Sequence, residues 1–306
     1  MNDPADLPDI TKANIQKLND HLLDQQKIEL DVLRLDKIHT TISGNKLFKL
    51  KNYLIEAKRL GKRGVLTFGG PYSNHLLATA YACNTAGLLS IGIIRGEEPA
   101  VYSSTLLDLQ AFGMDLRFYS REVYKQTDVR NYLRETHPDF LLVEEGGRGL
   151  PGIKGAEEIL QLHDKHSYSH IICAVGTGTM ITGIINDSLP GQQVIGIPVL
   201  KMEEMENAEI SVFIKSHCYP KNFYLQPHFH FGGYAKKTAE LIRFMNQFYV
   251  EHRIPTDFVY TGKLFYGTIK MIEDNFFEAG SKLLVIHSGG LQGNRSLPAG
   301  TLHFSF

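Results

Sequence analysis

His170-Ile171-Ile172-Cys173-Ala174-Val175-Gly176-Thr177-Gly178-Thr179-Met180 is a nearly unbroken apolar run that ends in alternating glycine and threonine. Five consecutive apolar residues, Ile171–Val175, with no polar alternation read as a strand buried on both faces, the signature of a parallel sheet covered by helices. The glycines end the strand, and a helix follows through Ile185. On both sides the same alternation continues. Ile28–Leu35 alternates apolar and polar as a half-buried strand, and further strands are predicted at Gly64–Phe68, Leu89–Ile94, Leu116–Tyr119, Phe140–Val143, Gln193–Leu200 and Lys282–His287. Helical periodicity fills the intervals, at residues 50–60, 73–86, 101–112, 123–136, 153–163, 208–217, 236–252 and 265–278. A weakly helical stretch is expected at residues 13–23, inside a polar lead-in. Strands alternating with helices point to an α/β fold.

Composition narrows the function. With 306 residues the chain has room for two domains, and 43% hydrophobic with 21% charged residues is ordinary for a globular protein. A net charge of −1 offers no basic field, so nucleic acid is not expected as a partner. Cys83, Cys173 and Cys218 share no CxxC spacing; a disulfide framework is not expected, nor is a metal site. No apolar run is long enough to span a bilayer and the acidic start is no signal peptide, so a cytoplasmic location is expected.

Three stretches carry chemistry. In Ser43-Gly44-Asn45-Lys46-Leu47-Phe48-Lys49-Leu50 two lysines stand where a loop becomes a helix. A helix N-terminus favours anions, and a desolvated lysine there can become neutral, as a Schiff-base amine must. Gly176-Thr177-Gly178-Thr179 lies between a buried strand and a helix, where backbone amides and two hydroxyls suit a phosphate. A ligand-free βα turn accounts for the same glycines. Gly176-x-Gly178 also partly mimics a dinucleotide fingerprint, with Gly183 misplaced by two positions and Glu203 as a ribose-binding candidate. Ser73-Asn74-His75 opens a helix directly after Gly69-Gly70-Pro71-Tyr72. That position is the ligand-binding edge of an open α/β sheet.

Taken together, Gly44-Asn45-Lys46-x-x-Lys49-Leu50, Gly69-Gly70-x-x-Ser73-Asn74-His75, Tyr260-Thr261-Gly262-Lys263 and His287-Ser288-Gly289-Gly290 are similar to motifs of one family in the same order. The chain resembles the pyridoxal-phosphate enzymes of the 1-aminocyclopropane-1-carboxylate deaminase/D-cysteine desulfhydrase family, relatives of the tryptophan synthase β-subunit, from about residue 28 to the C-terminus. The resemblance implies a two-domain open parallel-sheet architecture of fold type II. A small domain of residues 48–155 would be inserted in a large cofactor-binding domain of residues 1–47 and 156–306, the site lying between them. It implies a homodimer and a small amino-acid substrate.

Residue by residue, the resemblance implies that Lys46 holds the aldehyde of pyridoxal 5'-phosphate. Asn74 bonds the phenolic oxygen of the ring, and Gly176, Thr177, Gly178 and Thr179 wrap the phosphate. Ser73 and His75 meet the substrate carboxylate beside Tyr72, and Tyr234 and Tyr260 face the substrate. Departures matter. Thr261 and Ser288 stand where deaminases of the cyclopropane substrate carry Glu and Leu, so the ring nitrogen would meet a hydroxyl that cannot protonate it. Such a weaker electron sink suits α-proton loss and departure of a β leaving group, as in D-cysteine desulfhydrase, yielding pyruvate, ammonia and sulfide. Deamination of the cyclopropane substrate is the alternative. Phe48 replaces the usual Arg and Tyr72 a common Gln, either of which could reshape the pocket. Two other classes compete: a nicotinamide-dependent oxidoreductase built on Gly176–Gly183, and a non-catalytic protein that binds the cofactor.

Overall fold

The computed structural model describes residues 8–201, 209–219 and 222–304. The chain starts with β1 (Asn14–Leu18), α1 (His21–Gln26) and β2 (Glu29–Arg34), followed by the long α2 (Asn45–Arg59). Strands and helices then alternate through β3 (Gly64–Gly69), α3 (Asn74–Thr85), β4 (Leu89–Arg95), α4 (Ser104–Ala111) and β5 (Met114–Tyr119). Next come α5 (Arg121–Lys125), α6 (Thr127–Thr136), β6 (Phe140–Val143) and α7 (Leu150–Glu157). The run β7 (His170–Val175), α8 (Thr179–Asp187), β8 (Gln193–Pro198) leads to α9 (Glu209–His217) and the short β9 (Phe223–Leu225). Finally α10 (Ala239–His252), α11 (Thr261–Glu273) and β10 (Lys282–His287) complete the elements.

Two sheets result. One has the strand order β1-β2-β10-β7-β8-β9 and is parallel except for β1, which pairs antiparallel with β2. The other, β5-β4-β3-β6, is wholly parallel and drawn from residues 64–143. β7 lies inside its sheet, pairing Ile172 with Val285 on one side and Ile195 on the other. Ile171, Ile172 and Cys173 are fully buried, which is why that strand carries no polar alternation.

One of the apolar clusters reaches both sheets. Leu47, Phe48, Leu50 and Leu54 of α2 pack in the same cluster as Val65 of β3, Ala156 of α7 and Ile171 of β7. The approach of α2 to α7 is close because Gly155 has no side chain. A Cβ there would lie 1.8 Å from the Phe48 carbonyl oxygen. Phe48 itself is 1% exposed, a core residue with its ring away from solvent.

The expected helix at 13–23 is corrected. Asn14–Leu18 is an edge strand, and the helix starts at His21, where the Asp20 carboxylate accepts from the Leu22 amide at 2.9 Å. Long-range pairing with β2 overrides the weak local helical preference. β9 had no expectation from sequence, since three residues give too little pattern. Helix ends moved by a few residues: α11 starts at Thr261, and α7 stops at Glu157, beyond which the chain tightens into a 3-10 turn. Glu203 and Ala208 lie outside the described residues.

Candidate active site

The site is built where loops from distant parts of the chain are bonded to one another. Gly44 takes a φ of +71°, and a Cβ on it would stand 1.7 Å from the Ser288 carbonyl oxygen. Only glycine allows that approach. The Asn45 amide donates to the Ser288 carbonyl at 3.2 Å, and the Gly290 amide donates to Ser43 Oγ at 3.2 Å. Asn74, first residue of α3, donates from Nδ2 to the Gly290 carbonyl at 3.2 Å. The starts of α2 and α3 and the turn after β10 are thereby fixed together. Opposite them, Gly176–Thr179 turns from β7 into α8, and the Thr177 and Thr179 hydroxyls share a 3.1 Å hydrogen bond. A cleft opens between these loops, lined by Asn45, Lys46, Lys49, the Gly176–Gly178 backbone, Tyr260 and Ser288.

The cleft is electropositive and lacks an acid. Lys46 Nζ donates to Asn45 Oδ1 at 2.7 Å and lies 5.7 Å from the centre of the Tyr260 ring. Burial lowers its pKa to about 8, opposed by the charge of Asp257. Lys49 is 5% exposed, and no described residue accepts a hydrogen bond from its ammonium. Burial first, then the neighbouring Lys46 charge, holds its pKa well below the usual lysine value. The nearby buried carboxylate is already engaged. Asp257 Oδ2 accepts from the amides of Val259 and Tyr260, and Oδ1 accepts from the amide and hydroxyl of Thr261. Two lysines with no anion beside them fit an anionic group.

The structure sorts the residues singled out from sequence. Lys46, Gly176, Thr177, Gly178, Tyr260 and Ser288 line the cleft together. Thr179, fully buried, supports the loop through Thr177. Thr261 is committed elsewhere: its hydroxyl donates to Asp257 Oδ1 at 2.7 Å and accepts from the Asp257 amide at 2.7 Å. Ser73 caps α3, accepting from the Leu76 amide at 3.2 Å. Tyr72 is 51% exposed. Tyr234 is half exposed and meets Tyr260 edge to face at 6.1 Å. Burial pushes the Tyr260 phenol well above its ordinary pKa, so it keeps its proton.

His75 points inward. Thr67 gives its one hydroxyl proton to the Val143 carbonyl at 2.7 Å, so its oxygen must accept from His75 Nε2 at 2.8 Å. That assigns the proton to Nε2. Burial, aided by the charges of Lys46 and Lys49, lowers the imidazole pKa to about 3. His75 is therefore neutral, and its buried Nδ1 is an unpartnered acceptor. It suits a proton donor better than the carboxylate expected from sequence. Asn74 likewise has a buried, unpartnered Oδ1 and a second amide proton to give.

From sequence Lys49 has no assigned role, Gly146-Gly147 is only part of a Gly-rich turn, and Asp257 is not singled out. Gly146 packs so tightly on Thr177 that a Cβ would approach within 2.7 Å. The three-residue spacing of Lys49 from Lys46, one helical turn, was the available signal for the first. Nothing local marks Asp257.

A family model described as "Pyridoxal-phosphate dependent enzyme" matches residues 23–289. This chain belongs to that family. Among its relatives, a "Putative 1-aminocyclopropane-1-carboxylate deaminase" of Pyrococcus horikoshii is 28% identical over 82% of this chain and 81% of its own length. A protein of Arabidopsis thaliana named "Bifunctional D-cysteine desulfhydrase/1-aminocyclopropane-1-carboxylate deaminase, mitochondrial" is 30% identical over 87% of this chain and 73% of its own. A solved structure described as an ACC deaminase homologue superposes with a TM-score of 0.76 at 26% identity, covering 95% of this chain and 94% of that one. The fold is thus the tryptophan synthase β-like one, and the cofactor is pyridoxal phosphate. The nicotinamide reading is set aside. The residues present fit the group: two lysines in the cleft with no carboxylate in contact, for an aldehyde and a phosphate, and an unspent amide proton on Asn74.

Proposed function

We propose that the protein is a lyase acting on a small amino acid, with D-cysteine as substrate and pyruvate, ammonia and sulfide as products once water is added. One observation carries the choice. Ser288 lines the cleft, whereas the Thr261 hydroxyl is spent on Asp257. Ser288 is the group assigned to the ring nitrogen, and a hydroxyl there favours elimination over opening of a cyclopropane ring.

Pyridoxal phosphate, when bound, supplies an electron sink that acidifies the α-proton of an amino acid. Lys46 is assigned to the aldehyde, and a pKa near 8 leaves part of its population as a neutral amine able to take the α-proton at Nζ. Lys49, the Gly176–Gly178 backbone and the hydroxyls of Thr177 and Thr179 hold the phosphate at the start of α8. Asn74 gives its free N–H to the phenolic oxygen. Ser73 and the first amides of α3 meet the substrate carboxylate beside Tyr72, and His75 braces α3 against β3 from behind. Tyr260, kept protonated by burial, and Tyr234 are assigned to give a departing sulfur its proton. The segment 48–155 is assigned as the smaller domain whose movement closes the cleft. A homodimer and a cytoplasmic location belong to the same proposal, on resemblance and composition.

The name deaminase of the curated relatives supports 1-aminocyclopropane-1-carboxylate as the second reading. Release of a 2-oxo acid is to be measured from D-cysteine, L-cysteine and the cyclopropane amino acid, using the cofactor-loaded protein and its Lys46→Ala, Ser288→Ala and Thr261→Ala variants. Turnover of D-cysteine alone, lost with Lys46 and altered at Ser288 but not at Thr261, is expected. Turnover of the cyclopropane substrate would replace the first reading by the second. A visible cofactor band without turnover of any substrate would make the protein a cofactor binder.

A further inference from the structure

Lys263 lies in the first turn of α11 and is 0% exposed, yet no carboxylate of the described residues is in contact with its ammonium. Its Nζ donates instead to two backbone carbonyls of one loop, His230 at 2.8 Å and Gly233 at 2.7 Å. That loop is held in conformations that side-chain-bearing residues avoid: Phe231 has a φ of 51° and Ala235 one of 54°. Such backbone persists where its surroundings over-determine it. The Gly233 amide closes a turn onto the His230 carbonyl at 3.0 Å, and the Phe231 ring leans on Tyr266 of α11 at 4.8 Å. Between the strained residues sits Tyr234, edge-on to Tyr260, whose ring lies near Lys46.

A buried ammonium without an anion is expensive, and an apolar residue of the same length would fill the space at lower cost. What an apolar residue cannot do is grip two carbonyls at once. We propose that Lys263 is a positioning residue whose ammonium straps the 230–235 loop to α11 and so presents the Tyr234 phenol to the cleft. The strap acts through Tyr234 and rests on the reading above that Tyr234 faces substrate. Burial lowers the Lys263 pKa to about 8, with the Asp257 charge opposing, so most of the group is still an ammonium at pH 7.

The chain has no tryptophan, so Tyr234→Trp installs a single fluorescent reporter in the loop. In the cofactor-loaded protein, adding Lys263→Met is expected to red-shift the reporter's emission and open it to acrylamide quenching, while the visible cofactor band stays in place. In turnover, Lys263→Met and Tyr234→Phe are each expected to lower kcat/KM on the order of 100-fold, the lower end for loss of a proton carrier. The double variant should lose nothing more. Lys263→Gln, shorter and uncharged but still a donor, gives a smaller shift of the same kind and serves if Lys263→Met does not fold. Unchanged emission in either Lys263 variant, or losses that multiply in the double variant, would overturn the strap. A wild-type protein without the visible band would instead overturn the functional reading, and the reporter would still test the loop.

Discussion

The buried imidazole of His75 should make the protein sensitive to acid in a way that one substitution removes. In the folded chain the His75 pKa is lowered to about 3 from an ordinary 6.5, chiefly by burial. The unfolded chain therefore binds a proton that the folded chain refuses throughout the window from 6.5 down to 3. Stability is fully present above the unfolded value and is lost as pH falls through that window. At pH 5 the medium is about 1.5 pH units below the unfolded pKa, and at 1.36 kcal/mol per unit the loss from this residue is about 2 kcal/mol. His75→Gln keeps an N–H for Thr67 Oγ and does not titrate. Urea unfolding of the two cofactor-free proteins at pH 7 and pH 5 isolates the effect, because other acid-sensitive groups are common to both. The stability difference should move by about 2 kcal/mol in favour of the variant on going to pH 5. Curves that run parallel between those pH values would show that the imidazole is solvated or accepts a proton in the folded state, and the tautomer argument would fall.

Lys49→Met should raise the thermal midpoint of the cofactor-free protein, since a buried amine without an acceptor is removed. The same change should weaken pyridoxal phosphate binding by about 10-fold or more, the worth of a charged hydrogen bond, as read by titration of the visible band. A variant that binds the cofactor as tightly as wild type would deny Lys49 a phosphate role. Gly155→Ala should destabilise the fold by about 3 kcal/mol, the upper range for overpacking, because its new methyl group meets the Phe48 carbonyl at 1.8 Å. A shift in urea midpoint equivalent to less than about 1 kcal/mol would mean that α2 and α7 can slide apart at little cost.

Much of the site was visible in the sequence because its motifs are local. Gly44-Asn45-Lys46 and Ser73-Asn74-His75 each combine a turn with a helix start, and both signals lie within a few residues. What the side chains do there was less visible. Thr261 and Ser288 were equivalent hydroxyls on paper, and they part only because Asp257, four residues before Thr261, folds back to take its proton. Phe48 looked like a change in the pocket and is a core residue, packed where α2 meets α7. His75 looked like a ligand for substrate, but Thr67, eight residues earlier on β3, turns its donor nitrogen inward.

The sequence by itself determined the α/β class, the alternation of strands and helices from β2 to β8, and the glycine turns after β3 and β7, because period and turn chemistry are encoded over spans of two to ten residues. The tertiary structure decided which loops meet, which hydroxyl is free, and which nitrogen of His75 carries the proton. It also decided that Asn14–Leu18 is a strand. Those outcomes depend on contacts between residues tens to hundreds of positions apart, such as Gly44 against Ser288 and Lys263 against His230. No local pattern records how such distant surfaces compete for the same proton or the same space.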